Sequence, residues 1–208
     1  MTDHYFTSKP SADKNEKKIE ARLKGQQMTF TTDSGVFSRD RVDFGSQVMI
    51  EAIDERAFST GEVLDVGCGY GPVGLSLAKA NPALHIDMID VNERALELAK
   101  KNAELNGVSN VSIFLSSIYE QVEKQTYGAV ISNPPIRAGK QTVHKIITDA
   151  KEHLADNGVL IIVIQKKQGA PSAKKVMEET YGNVTRIGLD KGYWVLQSIK
   201  TDSQGDHK

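Results

Sequence analysis

The sequence predicts an α/β domain with a mostly parallel β-sheet and helices on both of its faces. Short apolar runs, typical of buried strands, alternate with stretches of helical periodicity between residues 58 and 200. A loop with three glycines follows the first of these runs and leads into a predicted helix that begins near Pro72. Strands that alternate with helices pair in parallel, because each helix carries the chain back across the sheet.

The core elements follow from apolar periodicity and from the residues that begin or end each element. Asn92 is a suitable helix cap, and Gly107 marks the end of the same helix. The predicted strands cover residues 62–65, 85–90, 111–115, 127–132, 159–165, 184–189 and 193–199, and the predicted helices cover 73–78, 93–106, 142–154 and 173–181. The last two strands form a hairpin around Asp190-Lys191-Gly192.

The region before the core is polar and charge-mixed up to Gly25, which predicts an exposed helix or an arm that orders on a partner. Met28–Thr32 is β-prone, and a helix is predicted from Ser46 to Ala57. Between them, residues 36–45 alternate charges and aromatics, which predicts either a lid or a packing segment with solvated charges. The predicted divisions are an N-terminal extension and lid at residues 1–57, a core at 58–200 and a disordered tail at 201–208.

Composition limits the class of protein. The chain has 208 residues, 39% hydrophobic and 25% charged, as expected for one globular domain. Its formal net charge of −1 excludes a strongly basic nucleic-acid binder, so contact with nucleic acid has to come from local basic patches. A single cysteine, no membrane-length apolar run and no secretory signal predict a cytoplasmic protein. The five histidines lack metal-ligand spacing, so we expect no metal ion.

The glycine loop predicts a site for a nucleoside ligand. Asp65 ends the strand before the loop, and Pro72 suits the first position of the following helix. Asp90 ends the next apolar run, 19 residues beyond Gly71. This spacing predicts a carboxylate at the end of the neighbouring parallel strand, where it can bind the two hydroxyls of a ribose.

The choice of nucleoside rests on charge. Residues 69–74 match the dinucleotide-binding pattern G-x-G-x-x-G, but Asp65 would repel a pyrophosphate and Pro72 removes an N–H that would bind it. S-adenosylmethionine has no phosphate and carries an ammonium and a sulfonium, which a carboxylate at Asp65 suits. The close backbone at Gly67 and Gly69 also suits it. The predicted cofactor is S-adenosylmethionine.

The run Val63–Gly71 resembles the first motif of the class I methyltransferase family. This resemblance implies a Rossmann-like fold whose seven-stranded, mostly parallel sheet has a reversed last strand and helices on both faces. Many members have an Asp where this chain has Ser117, and we interpret Cys68 as a small packing group rather than a nucleophile. The cofactor-binding residues implied by the resemblance are Asp65, Gly67, Cys68, Gly69, Asp90, Val91, Ser117, Ile118 and Asn133.

A second motif, Asn133-Pro134-Pro135, follows the predicted fourth strand. Each proline fixes its own φ and restricts the preceding residue, so the Asn133 side chain and the Pro134 carbonyl have little freedom. Alone, the motif is also compatible with a capped turn. In methyltransferases it marks methylation of planar amino nitrogens, whose two hydrogens are accepted by the amide oxygen and the first proline carbonyl. The resemblance therefore implies Asn133 and Pro134 as catalytic residues.

Three stretches together resemble the bacterial RsmC-like branch: residues 36–45, the Asp65 loop and residues 133–140. That branch methylates guanine N2 in small-subunit ribosomal RNA, which implies ribosomal RNA or the small ribosomal subunit as partner, with no membrane and an open oligomeric state. The best-known members have two tandem methyltransferase-like domains, whereas this chain has one. The substrate-binding residues predicted from the resemblance and from basic loop ends are Phe37, Pro135, Ile136, Arg137, Lys140 and Lys167.

Two other functions are compatible with the sequence. One is an N-P-P methyltransferase acting on a protein glutamine or on adenine in DNA, although Ile136 stands where those families favour an aromatic residue. The other is a non-enzymatic RNA-binding assembly factor that kept the fold. The presence of Asp65, Asp90 and Asn133 together argues against it.

Overall fold

A computed structural model describes residues 14–201, so the first thirteen residues and all of the predicted tail at 201–208 except Thr201 lie outside the described part of the chain. The strands in this part are β1 (Lys17–Leu23), β2 (Gln26–Thr32), β3 (Glu62–Val66), β4 (His85–Asp90), β5 (Val111–Leu115), β6 (Tyr127–Ser132), β7 (Leu154–Gln165), β8 (Thr185–Asp190) and β9 (Tyr193–Ile199). The helices are α1 (Phe44–Ala52), α2 (Pro72–Ala80), α3 (Glu93–Leu105), α4 (Lys140–His153) and α5 (Ala170–Tyr181).

Seven strands form the main sheet in the order β5-β4-β3-β6-β7-β9-β8. Strands β3 to β7 run parallel to one another, and β9 lies antiparallel to both β7 and β8. The structure therefore confirms the predicted mostly parallel sheet with a reversed last strand. None of the helices between residues 14 and 201 has both the length and the apolar character needed to cross a bilayer.

The core has two layers because alternate residues of each buried strand point to opposite faces of the sheet. In β3, Val63 belongs to the layer that packs on α1, α2, α3 and the β1–β2 hairpin, and Leu64 belongs to the layer under α4 and α5. Residues 159–164 of β7 are all buried. This is the pattern of a central parallel strand covered on both faces, and it explains the unbroken apolar run.

The prediction of an exposed helix or arm before Gly25 is wrong for the described residues. Residues 17–32 form an antiparallel hairpin, β1 and β2, whose two-residue turn is Lys24-Gly25. Both turn residues have positive φ, 51° and 74°, as the common tight hairpin turn requires. Ile19 and Leu23 face the core at the period of two expected for a strand, a signal that the surrounding charges obscured.

The free edge of β2 is paired with two asparagine side chains, Asn102 of α3 and Asn106 at the C-terminal cap of that helix. Asn102 accepts the Thr31 N–H at 2.6 Å and donates to the Thr31 carbonyl at 3.0 Å. Asn106, one helical turn later, does the same for Thr29 at 3.0 and 2.7 Å. Asn102 also donates to the Tyr70 carbonyl in the glycine loop, at 2.9 Å. The two amides therefore satisfy a buried strand edge and connect the hairpin to the loop.

Two elements differ most from their predicted bounds. Helix α1 spans Phe44–Ala52 instead of residues 46–57, because Ile53 adopts an extended backbone and is buried, and a 3-10 turn at Glu55–Ala57 follows. Strand β7 begins at Leu154 and includes the predicted turn at residues 155–158. The pairing of β7 with β6 is irregular there, with a register shift between Tyr127 and Ala129.

We predict that Asn102→Ala lowers the free energy of unfolding by about 1–3 kcal/mol, because it leaves buried backbone groups of Thr31 and Tyr70 without partners. Urea unfolding followed by circular dichroism measures this change. Lys100→Ala, an exposed substitution on the same helix, is the matched control. Equal stability of the two variants would contradict the role of Asn102 as a substitute for a neighbouring strand.

Candidate functional site

The strand register brings the ends of three parallel strands to one place. Val66, the last residue of β3, pairs with Ile89 of β4 on one side and with Ser132 of β6 on the other. Carboxyl ends of parallel strands lie at one edge of a sheet, where ligands bind in such folds. The residues that follow these three positions are Gly67, Asp90 and Asn133.

Two adjoining cavities open at this edge, and they share Gly67. They enclose about 440 and 790 Å³, including their open mouths. The first cavity brings together the predicted residues Phe37, Asp65, Gly67, Cys68, Gly69 and Asn133. The second is lined by the predicted residues Gly67, Asp90, Val91, Ser117, Ile118 and Pro135.

The remaining predicted residues line neither cavity. Pro134 is buried, and the Ile136 side chain packs against the core layer that contains α4 and α5. The basic side chains of Arg137, Lys140 and Lys167 are exposed. All three basic residues follow the carboxyl end of β6 or β7, so they belong to the same edge of the sheet as the cavities.

Sequence reasoning missed several cavity residues. Asp43, Ser46 and Tyr70 line the first cavity, and Ser116 and Ile146 line the second. Asp43 had a readable signal: an aspartate three residues before Ser46 is a typical helix cap. The signal was missed because the helix was predicted to begin at Ser46 instead of Phe44.

The Asp65 carboxylate is held beneath the glycine loop. Its Oδ2 accepts the Gly74 N–H at 3.0 Å, and the side chain is only 2% exposed. A Cβ on residue 74 would lie 2.9 Å from this oxygen and 2.8 Å from the Met88 sulfur, so only glycine allows this approach. Burial, with a contribution from the charge of Asp90, raises the pKa of Asp65 to about 7.

Asp90 is held by backbone donors from both sides. Its Oδ2 accepts the Gly69 N–H at 2.8 Å and its Oδ1 accepts the Asn92 N–H at 2.9 Å. Burial raises the pKa of Asp90, and these hydrogen bonds oppose the rise. Each carboxylate oxygen can accept another hydrogen bond, so Asp90 retains acceptor capacity toward the second cavity that it lines.

The electrostatics of the site favour a cation. No lysine or arginine of residues 14–201 lines either cavity, while Asp65 and Asp90 line one each. Gly67 and Gly69 have positive φ, and a Cβ built on either would meet no protein atom within 4 Å. The backbone therefore faces open space beside two carboxylates. These features fit a ligand with an ammonium, a sulfonium and ribose hydroxyls, and they do not fit a pyrophosphate.

The Cys68 thiol lines the first cavity but is buried, and burial raises its pKa well above the ordinary value. The nucleophilic form of cysteine is the thiolate. A thiol that stays protonated in this way supports our interpretation of Cys68 as a small packing group. Within the described residues, no group of three or more histidine, cysteine, aspartate or glutamate side chains is placed to hold a metal ion.

The segment predicted as a lid lies against the glycine loop. The Tyr70 hydroxyl donates to the Ser38 carbonyl at 3.3 Å, and the Asn92 amide donates to the Gly35 carbonyl at 3.1 Å. Phe37, 52% exposed, lines the first cavity from this segment. The wall formed by this segment therefore belongs to the same cavity as Asp65.

The Asn133 amide contacts the start of α1. Its Nδ2 donates to Asp43 Oδ2 at 2.8 Å and to Ser46 Oγ at 2.9 Å. Asp43 Oδ2 also accepts the Ser46 N–H at 3.0 Å and thereby caps the helix. The N-P-P motif and the N-terminal segment therefore meet in the first cavity.

Comparison with known proteins identifies the family. Residues 27–197 match the family model described as Methyltransferase small domain, and the chain belongs to this family. It is a class I S-adenosylmethionine-dependent methyltransferase of the RsmC-like branch. The fit of the two cavities to a cationic nucleoside agrees with this cofactor.

The relatives include one of similar length and others about twice as long. The chain is 49% identical to "Uncharacterized protein YbxB" of Bacillus subtilis (strain 168), over 96% of this chain and 100% of that protein. It is 31% identical to Ribosomal RNA small subunit methyltransferase C of Vibrio vulnificus (strain CMCP6), over 86% of this chain and 51% of that protein. The chain therefore spans about half the length of such methyltransferases.

A solved structure of such a methyltransferase also matches this chain over about half of its own length. The T. thermophilus 16S rRNA N2 methyltransferase RsmC, in complex with AdoMet and guanosine, superimposes with a TM-score of 0.79 at 25% identity. The match covers 92% of this chain and 52% of that chain. The similarity confirms the predicted fold class and cofactor.

We predict that Asp65→Asn changes how stability depends on pH. The folded-state pKa of about 7 is raised above the ordinary value of 3.8. Between these pH values the folded protein keeps a proton that the unfolded chain has lost, so stability falls as pH rises, by up to about 1.4 kcal/mol per pH unit. Above pH 7 the Asp65 carboxyl is ionised in both the folded and the unfolded state, so it no longer adds to the slope. The asparagine side chain does not titrate, so the variant lacks this contribution at every pH.

Urea unfolding of the ligand-free wild type and variant at pH 5, 6, 7 and 8 measures this difference. We expect the stability of Asp65→Asn relative to wild type to increase from pH 5 to 7 and then level off. A constant difference across this range would show that Asp65 titrates normally. The Asp90 carboxylate is common to both proteins, so its own titration largely cancels in the comparison.

Proposed function

We propose that this methyltransferase acts on the exocyclic N2 amine of a guanine in small-subunit ribosomal RNA. The observation that carries the proposal is that Asn133 of the N-P-P motif lines the same cavity as Asp65 and the glycine loop. In this proposal Asn133 is the acceptor for the amine, and its position beside Asp65 supports transfer from a cationic methyl donor. The names of the ribosomal RNA methyltransferase relatives support the choice of RNA.

The residues proposed to hold the cofactor divide between the two cavities. Asp90 binds the ribose hydroxyls, and the apolar walls formed by Val91 and Ile118 take the adenine. Asp65 provides negative charge for the ammonium end. When bound, S-adenosylmethionine supplies the electrophilic methyl group. The full proposed set is Asp65, Gly67, Cys68, Gly69, Asp90, Val91, Ser117, Ile118 and Asn133.

The proposed catalytic work of this chain is positioning and polarisation. The lone pair of an exocyclic amine is delocalised into its ring, so the amine is a poor nucleophile. Asn133 Oδ1 and the Pro134 carbonyl accept its two hydrogens and favour a tetrahedral nitrogen whose lone pair is directed away from them. No strong general base is required for this step. Pro134 is buried, and its fixed φ holds the carbonyl in place.

Base stacking is proposed for Phe37. The relatives with N-P-P-F or N-P-P-Y place an aromatic where this chain has Ile136, and the Ile136 side chain packs against the core. Phe37 is half-exposed and lines the same cavity as Asn133. It can therefore supply a stacking contact, worth about 1–3 kcal/mol per base. Pro135 and Ile136 complete the proposed apolar surface for the base.

We predict that Asn133→Ala reduces methyl transfer by on the order of 10²–10³, because one preorganised polar group is lost. S-adenosylmethionine binding should persist, because Asp65 and Asp90 are unchanged. Asn133→Asp should keep more activity than alanine, since a carboxylate still accepts hydrogen bonds. Transfer of labelled methyl groups to small ribosomal subunits, naked ribosomal RNA, DNA and protein extract, followed by mapping of the label, measures both rate and target.

Wild-type turnover of Asn133→Ala would overturn the amine mechanism. Label on adenine in DNA or on a protein glutamine would replace the guanine assignment with the other N-P-P chemistry. Binding of RNA without methyl transfer to any of these substrates would favour an assembly factor. Label on guanine N2 of the small-subunit RNA is the expected result.

The exposed basic residues at the carboxyl edge are proposed to bind RNA phosphates. Replacing Arg137, Lys140 and Lys167 together with alanine should weaken RNA binding for all sequences and flatten its salt dependence, by about 0.7 in log–log slope per lost contact. Filter binding of a ribosomal RNA fragment over a salt series measures this slope. The S-adenosylmethionine affinity should stay unchanged.

The control variant replaces the exposed basic residues Arg22, Lys100 and Lys174, which lie on other elements, and has the same change in net charge. If both triple variants flatten the slope equally, RNA binding depends on the overall charge of the protein and not on these three residues in particular. If neither does, the three proposed side chains are simply solvated.

A further inference from the structure

We propose that Asp43 and Ser46 are positioning residues that orient the Asn133 amide so that its oxygen faces the amine to be methylated. The inference rests on the proposed function, because it assigns partners to the proposed catalytic amide. It makes the segment before the first core strand a part of the catalytic centre, 90 residues away from the N-P-P motif in the chain.

The hydrogen bonds fix which way the amide points. A primary amide nitrogen has two hydrogens, and Asn133 Nδ2 has two acceptors, Asp43 Oδ2 at 2.8 Å and Ser46 Oγ at 2.9 Å. A rotation of the amide by 180° would place Oδ1 against the Asp43 carboxylate, where no hydrogen is available. The amide therefore keeps Oδ1 as its remaining acceptor in the cavity that Asn133 lines.

Asp43 is itself held in place. It caps α1 by accepting the Ser46 N–H, and a Cβ on Gly45 would lie 3.1 Å from its Oδ2. The same Cβ would lie 2.9 Å from the ring of Tyr193, which packs edge-on against Phe44 with centroids 5.7 Å apart. Glycine at this position thus allows the carboxylate and the aromatic ring to approach together. The helix cap and the tight packing leave the carboxylate little freedom to move away from Asn133.

The charge of Asp43 also acts on the amide. A hydrogen bond to a carboxylate is stronger than one to a neutral acceptor, and it polarises the donor group. Electron density moves toward Oδ1, which becomes a better acceptor for an amine that gains positive charge in the transition state. Orientation and polarisation both predict an effect on turnover and little effect on cofactor affinity.

The test is a double-mutant cycle with Asp43→Asn and Ser46→Ala, each made in the wild type and in Asn133→Ala. Asparagine retains the helix cap and removes the charge, so the fold is expected to hold. We expect Asp43→Asn to lower kcat by roughly tenfold with KM nearly unchanged, and to have no effect when Asn133 is absent. Asp54→Asn, at the cap of the exposed 3-10 turn, is the matched control and should leave kcat unchanged.

A second measurement does not depend on turnover. The side-chain amide signals of Asn133, identified by their loss in Asn133→Ala, should exchange slowly with solvent in ¹⁵N-asparagine-labelled wild type. In the Asp43→Asn and Ser46→Ala double variant they should exchange faster, while S-adenosylmethionine affinity is retained.

The outcomes separate the two levels of the proposal. If Asn133→Ala methylates at the wild-type rate, the proposed function fails. The positioning inference fails alone if Asn133→Ala strongly reduces turnover but Asp43→Asn keeps full turnover. It also fails alone if Asp43→Asn lowers the residual turnover of Asn133→Ala by the same factor as that of the wild type. Amide exchange that is the same in wild type and double variant would also overturn it.

Discussion

The site depends on two carboxylates, Asp65 and Asp90, that are buried at the ends of neighbouring strands. Within residues 14–201, no basic side chain lines the cavities beside them. Burial raises the pKa of both Asp65 and Asp90, so the ionised forms need donors or a cation. Backbone N–H groups of the glycine loop and of the following helices supply the donors. The glycines are therefore needed to bring these N–H donors close to the carboxylates, as well as to give a ligand access to the backbone. A cationic cofactor completes the charge balance.

The same loop connects the core to the N-terminal region. Asn102 bonds both to the edge of the hairpin and to the carbonyl of Tyr70, whose hydroxyl bonds to the Ser38 carbonyl. The N-terminal hairpin is thus packed on the helix that follows Asp90, and the segment after it reaches Asn133 through Asp43. These contacts hold the region before the core in a defined structure, and this region supplies one wall of the first cavity.

The core and its chemical motifs could be predicted from sequence because their signals are local. Strand and helix order followed from apolar periodicity, and the positions of Asp65, Asp90 and Asn133 followed from the rule that ligands bind at the carboxyl ends of parallel strands. The hairpin at residues 17–32 could not be recognised, since its alternating apolar residues are few and its exposed face is highly charged. The early end of α1 depended on burial of Ile53, which is a tertiary property.

The sequence alone determined the α/β class with its mostly parallel sheet and the choice of a cationic nucleoside cofactor, because each depends on residues adjacent in the chain or spaced by one structural unit. The reversed last strand was implied by the resemblance to class I methyltransferases. Only the tertiary structure decided what surrounds those residues. The pairing of Asn133 with Asp43 and Ser46 joins parts of the chain about 90 residues apart. No periodicity or spacing encodes that contact. It exists because α1 packs with its N-terminus at the sheet edge where β6 ends.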